Sequence, residues 1–277
     1  MSTELPYRFQ MYIPSRLQGV VSMIWEHEMF YSTDHNSEVI FPSGCHGLLF
    51  RLNGGVKISQ NNRVERDFGS EVKFGILCGL QTDSLLMRFE TYHFLGVQLQ
   101  PAALYSLFGL PATELTDTAL ESSLVLKELH LVEERLHELG TFQERARYIE
   151  SWLAASLLES SDLKLAIRME QVLKQKSLHD PVGQLPYEQI LGYSRRQTHR
   201  LFKKWFGLSP GVYWRYKKFL HSLDRIHFDE HASLTEIAHA TGFYDQAHFT
   251  RTFKEFSGFL PKVYQKEKSI IPGHIIK

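Results

Sequence analysis

Between residues 38 and 100 the chain alternates short apolar runs with polar punctuation. EVIF, GLLFRLNGGVKIS, VKFGILCGL, SLLMRF and FLGVQLQ are rich in Val, Ile, Leu and Phe and are separated by Gly, Asn, Asp or Ser. Runs of this length and composition predict strands. Asn53-Gly54-Gly55 predicts a hairpin turn, because a tight turn needs the positive φ that Gly and Asn tolerate. Many short strands at close spacing imply an antiparallel barrel or sandwich, and Pro101 closes the run.

From about 102 to 160 the period becomes helical. Val125, Leu129, Val132, Leu136 and Leu139 form a narrow apolar seam at spacings of four and three. Ile149, Trp152, Leu153 and Leu157 mark a second amphipathic stretch. Such a seam serves either as packing against the chain's own sheet or as a dimer interface, and both readings stand. The pattern and the charge balance shift near 158–164, around Ser160-Ser161-Asp162. The expected division is therefore 1–161, strands then helices, and 162–268, all helical, with 269–277 as a tail.

The helical half is punctuated clearly. Ser194 with Gln197, and Ser233 with Glu236, have the form of capping boxes; Asp245 is a good N-cap, and Ser209-Pro210 places Pro where its missing N–H costs nothing. Between these marks the chain repeats itself at a shift of 51 residues. Arg200, Phe202, Lys203, Gly207, Pro210 and Tyr213 fall on Arg251, Phe253, Lys254, Gly258, Pro261 and Tyr264. Each copy reads as a short helix, a turn with glycine and a longer helix. The first copy has a helix near Tyr187–Leu191, Gly192, then Arg195 to Phe206; the second has Leu234–Thr241, Gly242, then Gln246 to about Phe256. Short helix, turn, longer helix is the helix-turn-helix unit, whose second helix enters the major groove of DNA.

The longer helices divide into faces suited to that task. Leu201, Phe202 and Phe206 turn to the core in the first and Phe249, Phe253 and Phe256 in the second. Arg195, Arg196, His199 and Lys203, and Gln246, His248, Thr250, Arg251 and Lys254, are left outward. Arg and Gln suit base edges, while Lys and Thr suit phosphates. A helix from Pro210 to about Phe228 would join the units as a rod of roughly 28 Å, against about 34 Å for a turn of DNA.

Charge sharpens this division. The chain is formally neutral, yet residues 1–161 hold 12 basic against 20 acidic side chains and residues 162–277 hold 19 against 11. A basic half points to a polyanion, and an acidic half beside it is able to shield the basic one in an unliganded state. No run approaches the length of a membrane span, and the N-terminus lacks the order of a secretory signal, so a cytoplasmic, nucleoid-associated protein without a membrane partner is expected. Cys45 and Cys78 make no metal-binding spacing.

GYSRRQTHRLFKKWFGLSP and IAHATGFYDQAHFTRTFKEFSGFLPKVY closely resemble the two signature stretches of AraC/XylS-type bacterial transcription regulators, over residues 165–268. The resemblance implies two helix-turn-helix units on two successive major grooves of double-stranded DNA. It places base-facing positions at Arg195, Arg196, His199 and Arg200, and at Gln246, Ala247, His248, Thr250 and Arg251. Thr198 stands where the family has Leu, Leu260 replaces the capping Ser or Thr before Pro261, Pro186 falls in the first unit's leading helix, and Ala247 offers only methyl contact. More loosely, VIFPSGCHGLLFRLNGG and FLGVQLQPAALYSLFGLPATELTD are similar to the barrel-like partner domain of a subgroup of these regulators.

The expected function is thus a regulator, an activator working with RNA polymerase, controlled by a small-molecule effector in the N-terminal half. The alternative is an N-terminal half that only makes a homodimer or binds a protein. A metal-dependent barrel enzyme is the remaining reading, but His27, His46 and His93 with Cys45 are its sole candidate cluster and lack an H-x-H with a following Glu. Neither an enzymatic activity nor a cofactor is expected. The fragment 162–277 is expected to bind DNA alone.

Overall fold

The computed structural model describes residues 7–29, 37–60, 66–68, 75–125, 128–157, 161–175, 178–179 and 192–276. The leading helix expected near 187–191, with Pro186, lies outside the described residues.

The first half is an antiparallel sheet built on two 15-residue strands, β4 (His46–Gln60) and β7 (Leu85–Leu99). They pair along their whole length, from His46 opposite Leu99 to Gln60 opposite Leu85. On β7 also pack β2 (Val21–Met29), which carries β1 (Tyr7–Tyr12) at its outer edge, and β3 (Ser37–Ile40). On β4 pair β5 (Arg66–Phe68) and β6 (Ile76–Cys78), and β8 (Ala119–Glu121) pairs β6.

Two expectations about these strands need correction. SLLMRF and FLGVQLQ are one strand, β7. Asn53-Gly54-Gly55 makes no hairpin: it lies inside β4, opposite His93 and Tyr92, where the register slips on both sides. Gly54 has φ +69°, so the glycine serves a bulge that bends a long strand instead of reversing it.

Beyond the sheet come α1 (Ala103–Phe108), a 3-10 turn at Ala112–Glu114, α2 (Leu129–Glu138) and α3 (Phe142–Ser156). Helices α2 and α3 cover one face of the sheet, where Leu129, Val132, Leu136, Ile149 and Leu153 join Ile24, Leu48, Phe50, Leu95 and Val97 in a core. Thr141 and Glu144 form a capping box that starts α3. Arg145 then grips Glu26 of β2 through two bonds of 2.7 and 2.9 Å. In the Val125–Leu139 seam, Leu129, Val132 and Leu136 are buried in this core and Val125 packs against it, while Leu139 stays partly exposed.

The second half is helical: α4 (Ser161–Gln175), α5 (Arg195–Phe206), α6 (Pro210–Phe228), α7 (Leu234–Ala240), α8 (Gln246–Ser257) and α9 (Pro261–Glu267). Its cores are not its own. One joins Phe202, Trp205, Phe206, Tyr213 and Trp214 to Ala102 of the first half. The other joins Tyr216, Phe219, Phe253 and Tyr264 to Val39, Phe41 and Leu80. Residues 269–277, expected as a tail, contribute a ninth strand, β9 (His274–Ile276), antiparallel to β3.

Among the described residues, no helix is long and apolar enough to cross a membrane.

Candidate nucleic-acid interface

Helices α5 and α8 are each 12 residues long and are started and stopped by matching devices. Ser194 and Gln197 form the expected capping box of α5, and the Asp245 carboxylate accepts from the His248 amide at 2.6 Å to start α8. Gly207 and Gly258, both near φ +74°, end the two helices by donating to Lys203 O and Lys254 O. Between them α6 begins at Pro210 with Ser209 in the N-cap position, although the serine side chain makes no cap bond. Leu260 likewise leaves α9 without a side-chain cap.

The duplicated aromatics form the backs of these helices. Phe202, Trp205 and Phe206 on α5, and Phe249, Phe253 and Phe256 on α8, are buried. The other faces lie in solvent. Arg195, Arg196, His199, Arg200 and Lys203 are exposed on α5; Gln246, Ala247, Arg251 and Lys254 are exposed on α8, with His248 and Thr250 half-exposed. Gln246, Ala247, Thr250 and Arg251 line one open concavity, so four of the named positions on α8 share a surface. Thr198 points inward, and its hydroxyl is buried without a hydrogen-bond partner.

Several supports were not anticipated from the sequence. The Thr235 hydroxyl of α7 donates to Gln246 Oε1 at 3.1 Å, orienting that amide. His248 stands edge-on to Phe243, with ring centroids 5.4 Å apart. Arg215 of α6 holds Glu255 of α8 by two 2.9 Å bonds, tying the two helices together. Lys218 of α6 donates to the carbonyl of Gly242 in the turn of the second unit, and burial lowers its pKa from the usual lysine value. Tyr244, next to the cap of α8, is 86% exposed. It matches Tyr193 at the 51-residue shift, a correspondence already present in the sequence.

The histidines of the first half are not brought together. His27 Nδ1 lies 3.1 Å from the Tyr92 hydroxyl, His46 Nε2 donates to Pro101 O, His93 sits 3.0 Å from Glu26, and Cys45 lies beside Ser22. Among the described residues, no group of three or more His, Cys, Asp or Glu is placed to hold a metal ion. Burial lowers the pKa of His27 and of His46 to about 4.

Residues 187–267 match the model of a helix-turn-helix domain family, and residues 10–121 match that of a domain of unknown function, DUF6597. No protein of curated function matches the chain in sequence. Among solved structures, ToxT from Vibrio cholerae is similar at 12% identity and a TM-score of 0.50, covering 95% of this chain and 98% of ToxT. The AraC-like transcriptional activator CuxR is similar at 15% identity and a TM-score of 0.32, covering 84% of this chain and 91% of CuxR. The C-terminal region thus carries a helix-turn-helix domain, and the chain as a whole is similar in fold to ToxT.

Proposed function

We propose that the protein is a sequence-specific transcription activator that reads two successive major grooves of double-stranded DNA. Arg195, Arg196, His199 and Arg200 face bases in one groove, and Gln246, Ala247, His248, Thr250 and Arg251 in the next, with Lys203 and Lys254 on flanking phosphates. The observation that carries this reading is the matched pair of reader helices: same length, buried aromatic backs, exposed basic or amide faces. The 19-residue α6 spans roughly 28 Å, close to the ~34 Å between successive grooves on one side of a duplex. Selection from a random DNA pool tests it. Enrichment of two short motifs about one helical turn apart is the expected result; a pool that stays unselected overturns it.

Within this reading the chain divides into a sensor of residues 1–161 and a DNA-binding domain of residues 162–268, and the activator engages RNA polymerase in the cytoplasm. A small-molecule effector in the first half is supported by the sheet face that α2 and α3 leave uncovered. There Trp25, Met29, Leu49 and Met87 are only partly buried around Tyr92 and Phe94. His27 Nε2 is buried among these aromatic side chains without a hydrogen-bond partner. The Tyr92 hydroxyl takes up Nδ1 at 3.1 Å, which leaves Nε2 as the ring nitrogen able to bond a ligand. An apolar compound with one polar atom that bonds an imidazole nitrogen fits that combination. Thermal-shift screening of such compounds against the full chain and a His27→Phe variant tests it; stabilisation equal in both proteins, or in neither, removes this site.

A further inference from the structure

We infer that the C-terminal strand β9 is an internal strap through which the sheet sets the angle of the second reader helix independently of the first. The strap begins where Lys268 donates to Ile226 O and His227 O at 2.7 and 2.8 Å, closing the end of α6 with a cation. It then joins β3, with Val39 opposite Ile275 and Ile40 opposite His274. Phe41 N donates to Gly273 O at 2.8 Å, extending the pairing by one bond. Ile275 is buried, and His274 Nδ1 lies 2.7 Å from the buried Glu38 carboxylate. A backbone ladder, an apolar plug and a side-chain hydrogen bond therefore fix the same three-residue strand.

From the strap the contacts run straight to α8. Gly273 N donates to the Tyr264 hydroxyl at 2.9 Å. The Tyr264 ring lies 4.7 Å from Phe41, and Phe41 and Tyr264 each lie 6.3 Å from Phe253, the central buried residue of α8. A separate bond holds the far end of the reader, where Ser84 Oγ donates to Ser257 O at 2.7 Å. Helix α5 is anchored elsewhere. Lys204 sits 3.8 Å over the Tyr105 ring, and Gly207 lies so close to the 3-10 turn that a Cβ there would fall 2.1 Å from Thr116 Oγ1. None of these partners belongs to the strap.

Two readers with separate anchors in the first half of the chain have a relative angle that α6 alone does not decide. A displacement of β3 reaches α8 through Phe41 and Gly273 and leaves the α1 side, and α5, in place. The strap is thus a regulatory coupling, and loosening it is expected to free α8 selectively. The DNA part of this inference rests on the reading proposed above; the strap itself is readable without DNA.

The test uses the full chain carrying Ile275→Asp, with the milder Glu38→Gln and His274→Ala as variants that retain the core. Hydrogen exchange is followed in 37–41, 246–257 and 195–206, and binding is measured on the selected site with zero, one or two base pairs inserted between its halves. The expected result is exchange faster by about tenfold or more in the first two segments with 195–206 unchanged. The penalty for inserted base pairs should also shrink in the variants. Equal acceleration in 195–206, no acceleration anywhere, or an unchanged spacing penalty overturns the strap. If the wild-type chain selects no DNA, the DNA reading fails, and the exchange pattern alone decides the strap.

Discussion

The Tyr216 hydroxyl, in the second turn of α6, donates to the carbonyl of Gln81 at 2.8 Å and accepts from the amide of Gly44 at 3.1 Å. One buried oxygen thereby pins the rod between the readers to two loops of the sheet. Burial pushes its pKa well above the usual tyrosine value, so it stays a neutral donor. Tyr216→Phe removes both of these hydrogen bonds, and the expected cost is about 1–3 kcal/mol in chemical denaturation. A loss below the error of the measurement would show that water replaces the hydroxyl.

Arg196 and Arg251 occupy exposed positions on the two readers. Replacing either by Ala should weaken cognate binding by about 1–3 kcal/mol if it contacts a base pair, and should relax sequence preference in one half-site only. A loss shared equally by all sequences, together with a shallower salt dependence, would reassign the residue to phosphate.

Two histidines, His27 partly buried and His46 fully buried, and the buried Glu133 give opposite pH responses. His27 and His46 titrate near pH 4 when folded, because burial disfavours the cation, against about 6.5 when unfolded. The unfolded chain binds more protons in that window, so their contribution is present above pH 6.5 and is lost as pH falls towards 4. Glu133 runs the other way. Burial raises it to about 7, partly offset by the amides of Gly75 and Arg51. Folding favours its protonated form, so this contribution is complete below the unfolded value of about 4.5 and disappears as pH rises through 7. Glu133→Gln should therefore stabilise the chain more at pH 8 than at pH 5, read from thermal melts; an equal effect at both would remove Glu133 as the titrating group.

Thr198 is a place where one copy of the repeated frame is poorer than it could be. Thr198→Val removes a buried hydroxyl without a partner at nearly constant volume. It is expected to raise stability by about 0.5–1.5 kcal/mol in urea titration. A destabilised Thr198→Val variant would reveal a water on that hydroxyl.

The fragment 162–277 is expected to be far less stable than the full chain. Without residues 1–161, Phe253 and Tyr264 lose Phe41, Tyr216 loses Gly44 and Gln81, and β9 loses β3. Non-cooperative unfolding of the fragment is the predicted observation; a sharp transition near that of the full chain would refute it.

What the sequence discloses follows from the range of the interaction involved. Ser194 with Gln197, Ser233 with Glu236, and Asp245 are caps made within four residues, and the structure has all of them. The 51-residue repeat exposes the shared frame because Phe202 and Phe253 do the same work twice. Gly54 was misleading, since positive φ is demanded alike by a turn and by a bulge, and only the partner strand distinguishes them. The seam at Leu129–Leu136 showed its period correctly but carried no mark of which surface it would meet. The pairing of Val39 with Ile275 joins residues 236 positions apart, and three residues of a tail have no periodicity to announce it. Arg215 with Glu255 and Lys218 with Gly242 are invisible for the same reason: each depends on how α6 crosses its neighbours.

The shared cores bear on how such a chain can change over evolutionary time. A sensing domain that met its reader only through a linker could be exchanged for another by a single recombination. Here Phe41, Leu80 and Ala102 are structural parts of the helical half, and Ile275 is a structural part of the sheet. A graft cut near residue 161 would inherit two half-filled interiors. New specificities are therefore expected to arise by substitution on the exposed faces of α5 and α8, where a side chain can change without disturbing either half.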